Sequence, residues 1–356
     1  MRKLIKHTLV AVLYYSGLLY SMRLLFKPKV CKSPLILMYH QVAGDQETKN
    51  KYLMKGLYVF QSTFDKQMAY LKKKYNLMTL SQLVEHLVNN RPIPKKSVII
   101  TFDDGWRDNF QYAYPVLKKY NIPATVFITT DFIESGKIFW FLKAAVLHQN
   151  SRLTLEQFSD IFGNYTHDIK RSPSGSSENY LETLYTDLEE FMVFIKRFDN
   201  GQILKLLDEM AAISGLNIKE LLTERLMLNW AEINEIKDLV EIGSHGCSHH
   251  IMTTLGADAL KTELTESKNI LEEKTGRPIT LFAYPNGDYN NDIKKMVSEA
   301  GYRAAICTTG VDTTPDEHDL FAIKRLGVHE GVSAGFGNGF SKALFYFTIC
   351  NWKNIL

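Results

Sequence analysis

The chain has 356 residues, 45% hydrophobic and 23% charged, ordinary proportions for a globular protein with a real core. Its 42 lysines and arginines against 39 aspartates and glutamates leave a net charge of +3, too small to favour nucleic acid as a partner. Four cysteines, at 31, 247, 307 and 350, form neither a CxxC pair nor a zinc-finger spacing, so they read as buried, unpaired thiols that leave the redox compartment open.

The first thirty residues open on the basic "MRKLIKH", continue as the apolar "TLVAVLYYSGLLYSM" and end in "RLLFKPKV". Residues 8–22 fall short of the about 20 residues a span requires. Extension to Phe26 reaches that length but includes Arg23, whose charge can snorkel to the interface. No small-x-small cleavage site follows, so residues 1–30 read as an uncleaved membrane anchor, single-pass or monotopic, rather than a removed signal peptide. Arg2, Lys3 and Lys6 precede the apolar stretch and Arg23, Lys27, Lys29 and Lys32 follow it. The positive-inside rule therefore hardly chooses an orientation; an extracytoplasmic domain is the expectation.

From residue 35 strands and helices alternate. "PLILMYH" reads as a buried strand ending at His40, "TFDKQMAYLKKKY" as a helix, and "LSQLVEHLVNN" as a second helix with Ser81 as its N-cap. The strand "SVIITF", the helix "NFQYAYPVLKKY" and the strand "ATVFIT" follow. Residues 141–225 break the rhythm with helical patterns around the polar "KRSPSGSSENY", and read as a helical insertion where substrate choice would be written. The rhythm then resumes: helix "WAEINEIKD", strand "VEIGS", helix "ADALKTELTESKNILEEKTG", strand "TLFAYP", helix "NDIKKMVSEAG", strand "RAAICTT". Glu263 with Ser267 reads as an i, i+4 pair on a solvated face of the long helix. The tail, 336–356, is aromatic and apolar, either a core-packing helix or a second contact with a membrane interface. "NYT" at 164–166 matches a glycosylation sequon.

Continuous apolar strands separated by helices argue for parallel strands covered on both faces. Six or seven of them suggest a closed or nearly closed α/β barrel, with chemistry at the C-terminal strand ends. An open doubly wound sheet is the alternative, and the missing GxGxxG fingerprint counts against it.

Polar residues gather at those strand ends. His40 closes the first strand, Asp103 and Asp104 close "VIITF", His245, His249 and His250 follow "VEIGS", and Tyr284, Pro285 and Asn286 follow "LFA". A lone HxxxH pair would read as surface or core histidines. With a carboxylate it becomes a three-ligand divalent site with open positions. The second carboxylate of the Asp pair is then free to act as a base on water.

"TFDDGW", "SHGCSH", "FAYPNGDY" and "ILMYHQV" resemble the motifs of the polysaccharide deacetylase family, the carbohydrate esterases that share the NodB homology domain. The likeness covers roughly 34–140 and 226–330. It implies a distorted (β/α)7-type barrel over residues 31–335 and a metal-dependent hydrolase that removes acetyl groups from N-acetylated sugars. Carried over residue by residue, it makes Asp103 the catalytic base and Asp104, His245 and His249 the ligands of a divalent metal, with zinc expected. It places the oxyanion near Tyr284, Pro285 and the backbone N–H of Asn286.

Two departures stand out. The family commonly has Thr where this chain has Gly246, and many members have a base-orienting arginine where it has Ala283. "FAYPNG" resembles the branch of poly-N-acetylglucosamine deacetylases, in which a strand moved to the front supplies the proton-donating histidine. That assigns the acid to His40, with His329 in "RLGVHEG" as competitor and Arg325 as a stand-in for the missing arginine. The expected partner is an N-acetylated glycan or a lipid-linked sugar, at a membrane. An inactive carbohydrate-binding barrel and an amidohydrolase acting on another non-peptide C–N bond are the competing classes. Acetate release separates the first from a deacetylase; the anchor argues against the second, because a small soluble amide needs no membrane.

Overall fold

The computed structural model describes residues 2–19, 21, 34–46, 53–54, 56–163, 177–222, 224–308, 319–335 and 339–350. Its strands are β1 (Leu35–Tyr39), β2 (Gln41–Ala43), β3 (Tyr58–Phe60), β4 (Asn76–Leu77), β5 (Ser97–Phe102), β6 (Ala124–Ile128), β7 (Val240–Ser244), β8 (Leu281–Ala283), β9 (Ala304–Thr308) and β10 (Ile323–Gly327). β5 through β10 are neighbours in order, β10 pairs with β1, and β1 pairs with β5 to close a ring of seven parallel strands. The expected (β/α)7 barrel is the observed one. Every residue of β5 and of β6 is buried, the uniform apolarity that parallel strands need when both faces are covered. β4 adds to the start of β5, and β2 with β3 forms a separate parallel pair.

Register decides what meets at the rim. β1 and β5 pair from Leu35 opposite Val98 to Tyr39 opposite Phe102, so His40 and Asp103 leave the sheet at the same level. β6 and β7 pair up to Ile128 opposite Ser244, and the His245 N–H continues that ladder to the Ile128 carbonyl at 2.9 Å.

Two local predictions shift. The helix Leu80–Val88 is capped by Thr79, not Ser81: the Thr79 hydroxyl accepts from the Gln82 N–H and the Gln82 side chain accepts from the Thr79 N–H. That reciprocal pairing satisfies two orphan donors, which Ser81 inside the first turn would leave open. The predicted helix after Asp103 begins as a π-turn, Asn109–Ala113, before the α-helix Tyr114–Tyr120. Such turns are frequent at functional sites; here the bulge lets the Asn109 amide donate to the His40 carbonyl at 2.8 Å.

Residues 136–225, with 50–54, form a compact unit of their own. Within it the helices Leu155–Gly163 and Leu188–Ile195 pack through Phe158, Phe162, Phe191 and Phe194. The sequon at 164–166 lies outside the described residues.

At the termini two expectations change and one open alternative is decided. Among the described residues no helix is long and apolar enough to cross a membrane. The helix that forms, Arg2–Tyr15, has 14 residues and is about 21 Å long at 1.5 Å per residue, against about 30 Å of hydrocarbon; residues 22–33 lie outside the described set. It packs on the C-terminal helix Lys342–Ile349, with the Tyr14 and Tyr346 rings 5.4 Å apart. That C-terminal helix is buried from Ala343 to Ile349, so it is a packing helix and not a second membrane contact. Finally, Cys350 is disulfide-bonded, whereas Cys247 and Cys307 are the free thiols expected.

Candidate active site

The sharp event in the sequence is the end of β5. Asp103 still belongs to the ladder, its N–H donating to the Tyr39 carbonyl at 3.1 Å. Asp104 and Gly105 then adopt φ of +75° and +85°. A left-handed aspartate is strained, and such strain clusters where geometry serves function. The reversal turns two adjacent carboxylates toward different partners.

Asp103 faces Arg325 of β10. The guanidinium donates to both carboxylate oxygens, Nη1 to Oδ1 at 2.6 Å and Nη2 to Oδ2 at 2.7 Å, and Nη1 also reaches the Thr101 hydroxyl at 3.1 Å. Both side chains are buried, and Phe127 lies 5.6 Å from the guanidinium carbon. Burial pushes the Asp103 carboxyl up, but Arg325, helped by His245 and His40, outweighs it and holds the carboxyl below its usual range. Arg325 therefore holds Asp103 from another strand, where Ala283 stands in place of the family's arginine.

Asp104 faces the histidines. Its Oδ1 lies 3.5 Å from His245 Nε2 and 3.3 Å from His249 Nε2, while Oδ2 accepts from the Trp106 indole N–H at 2.8 Å. One donor atom from each of Asp104, His245 and His249 lies within 4.8 Å of the others, all three residues buried. His245 Nδ1 meets the Ala283 carbonyl at 2.8 Å. A carbonyl only accepts, so Nδ1 carries the hydrogen and Nε2 presents its lone pair to the centre. Two imidazoles and a carboxylate converging in a buried site fit a divalent cation. Burial pushes the Asp104 carboxyl up, but the facing His245 and His249 outweigh it and hold the carboxyl well below the usual range.

The loop between the histidines is fixed by a residue that the i, i+4 reading placed on a solvated face. Glu263 is buried, not solvated: its carboxylate accepts from the Cys247 N–H at 2.6 Å, from the Ser248 N–H at 3.1 Å, and from the Ser248 hydroxyl. Ser267, also buried, meets Ser244 at 2.8 Å. The signal was present, because Glu263 and Ser267 fall within the stripe Leu260, Leu264, Leu271 that faces the core. Gly246 follows from the same clamp: at φ +79° a Cβ there would stand 2.8 Å from the Glu263 carboxylate, which leaves no room for the family's threonine. Glu263→Ala should weaken metal binding about 10- to 100-fold, as loss of an outer-shell partner does, read by competition with a chromogenic chelator. Unchanged affinity in a folded variant would remove Glu263 from that role.

His40 stands level with Asp103. Burial lowers its pKa most; Asp104 and Asp103 pull it back up, and Arg325 and His245 add to the lowering. Those neighbours place His40 in the electrostatic field of the Asp pair. His329 follows β10, and the adjoining Val328 N–H donates to the Met38 carbonyl at 2.8 Å, so it occupies the same rim on the neighbouring strand. The β8 turn differs from expectation in one respect. Tyr284 is buried, its hydroxyl donating to the Phe321 carbonyl at 2.9 Å and its N–H to the Ile306 carbonyl at 3.1 Å. Tyr284 therefore supports the turn rather than facing a substrate. Pro285–Gly287 forms the turn itself, with Asn286 exposed at φ +58°. Gly287 is required because a Cβ there would collide with the Thr308 side chain.

Barrel and site together define a class: α/β-barrel hydrolases with an Asp-His-His donor set and a separately held aspartate at the C-terminal strand rim. The polysaccharide deacetylase family model matches residues 90–190 and 203–305. The chain belongs to the polysaccharide deacetylase family, and it is a hydrolase of that carbohydrate esterase group. It is 24% identical to YxkH of Bacillus subtilis over 311 residues, 87% of this chain and 76% of that one. It is 35% identical to the poly-β-1,6-N-acetyl-D-glucosamine N-deacetylase of Staphylococcus aureus over 185 residues, 48% of this chain and 62% of that one. The chain thus spans less than two thirds of that relative's length. Among solved structures, the Streptococcus pyogenes deacetylase PplD in complex with acetate superposes with a TM-score of 0.53 at 20% identity, covering 84% of this chain and 93% of that one. A polysaccharide deacetylase from Bacillus cereus gives 0.52 at 19%, covering 88% and 68%. These two likenesses speak for the fold.

Proposed function

We propose that the protein is a metal-dependent N-deacetylase of an amino-sugar glycan, acting on an N-acetylglucosamine polymer. The observation that carries this reading is the division of labour in one Asp pair: Asp104 joins His245 and His249, while Asp103 is held apart by Arg325. When bound by Asp104, His245 and His249, a divalent cation, zinc by its donor set, would polarise the acetamide and lower the pKa of water. Asp103 accepts the proton of the attacking water, and the Arg325 fork keeps its carboxylate ionised and aimed. The new C–O bond forms at the acetyl carbon, with the Asn286 N–H as the backbone donor to the oxyanion. As the C–N bond breaks, His40 gives its proton to the departing sugar amine, and acetate and a free amine leave.

Incubation of metal-loaded protein with a panel of N-acetylated glycans, scored for acetate and new amines, tests the reading; no release from any polymer or oligomer would end it. His40→Ala should lower kcat by about 10²- to 10⁴-fold, the usual worth of a positioned acid, while His329→Ala leaves it within a few-fold. The reverse pattern would move the proton donor to β10. We also infer an extracytoplasmic location: the disulfide at Cys350 fits an oxidising compartment.

A further inference from the structure

The helix Arg2–Tyr15 is covered on one side and bare on the other. Val10 is buried and Tyr14 meets Tyr346, whereas Leu9, Val12 and Tyr15 are 53%, 59% and 72% exposed. Their spacing of three residues puts them on one arc of the helix, and no described residue covers that arc. Beside it runs a groove of about 940 Å³ between this helix, the helix Gln61–Lys74 and the start of the helix Lys342–Ile349. Lys66, Lys73, Lys74 and Lys342 line the groove, and among the described residues no carboxylate does. The sequence adds Arg2, Lys3 and Lys6 at the same end of the chain.

An apolar arc flanked by lysines with no acid among them is complementary to one kind of surface. We propose that this face docks on a bilayer rich in anionic lipid, with Arg2–Tyr15 lying in the interface rather than crossing it. Leu9 and Val12 enter the acyl boundary, Tyr15 sits at headgroup level where amphipathic rings partition, and the groove lysines engage phosphates. The helix is too short to span, and its inner side is committed to the C-terminal helix, so it is presented flat on a rigid support. This docking is independent of the substrate proposed above, and its test does not use catalysis.

The full chain is mixed with vesicles of phosphatidylglycerol and phosphatidylcholine, or of phosphatidylcholine alone, and sedimented at two salt concentrations. Expected are binding to the anionic vesicles, loss of binding at high salt, and weak binding to the neutral ones. The triple variant K66E/K73E/K74E should partition roughly 100-fold less, from the worth of each lysine near an anionic surface. L9S/V12S should lose binding at the low salt concentration, where the parent binds. All five positions are exposed, and an unchanged thermal midpoint verifies that the variants are folded. Equal sedimentation of variants and parent, or no binding to anionic vesicles, overturns the proposal. A dimer in analytical ultracentrifugation that L9S/V12S dissolves would give this face to a second copy of the chain and also overturn it.

Discussion

Replacing Arg325 with methionine should lower the unfolding free energy of the metal-free protein by about 3–5 kcal/mol, the range for breaking a buried ion pair from one side. The loss is not that of a surface salt bridge, because both partners are buried and the contact is a two-point fork at 2.6 and 2.7 Å. Removal of the guanidinium takes away the largest charge that opposes burial and leaves only His245 and His40 against it, so the Asp103 carboxyl rises. The sign of the pH dependence follows. A carboxyl depressed by folding stabilises the native state above its unfolded value of about 3.9, and this contribution is lost as pH falls through the folded value. The stability gap between parent and variant should therefore be widest near neutral pH and close below about pH 4. Urea titrations across that range measure it. A gap under about 1 kcal/mol at pH 7, or one that grows in acid, would mean that the pair is not held as described. Asp103→Asn in the same background should recover part of the loss, because the uncompensated charge is then gone.

Asp104→Ala should remove the metal as well as the activity. Its Oδ1 is the one carboxylate oxygen facing both His245 and His249 among the described residues, so its loss exceeds the 10- to 100-fold effect of an outer partner. Metal content after dialysis, measured by mass spectrometry, should drop from near one ion per chain to background. Asp103→Asn makes the contrast: it should keep the ion and lose about 10²- to 10⁴-fold in rate. If Asp104→Ala retained metal and acetate release, or if Asp103→Asn lost the ion, the two aspartates would have been given each other's work.

The two carboxylates were legible because each comes at the end of an apolar run, and so were His245 and His249, four apart between glycines. Strand ends in a parallel barrel are a local property of sequence, and the polar residues there stand out. Arg325 was legible only as a substitute for something missing, since nothing local in "AIKRLGVH" says that this arginine crosses the barrel interior to Asp103. Glu263 was misread because a helical acid next to other charged residues looks solvated. Its face could be read from the stripe of Leu260, Leu264 and Leu271, but its partners lie in a loop 15 and 16 residues back along the chain, and only the packing of the helix Ala257–Thr275 against that loop identifies them. Tyr284 was misread for the opposite reason: it borders the motif, yet its hydroxyl is taken by Phe321.

By itself the sequence pointed to parallel strands in an α/β barrel and to the residue types that stand at its rim, because uniform apolar runs and abrupt polar ends are read along the chain; the order and closure of the ring came from the structure. Only the tertiary structure decided the partners. Whether Asp103 meets an arginine, whether Glu263 clamps a loop, and which side of the N-terminal helix is left bare depend on register and on contacts between segments up to 332 residues apart, such as Tyr14 and Tyr346. Periodicity gives a side chain its face; what lies across from that face is written elsewhere in the chain.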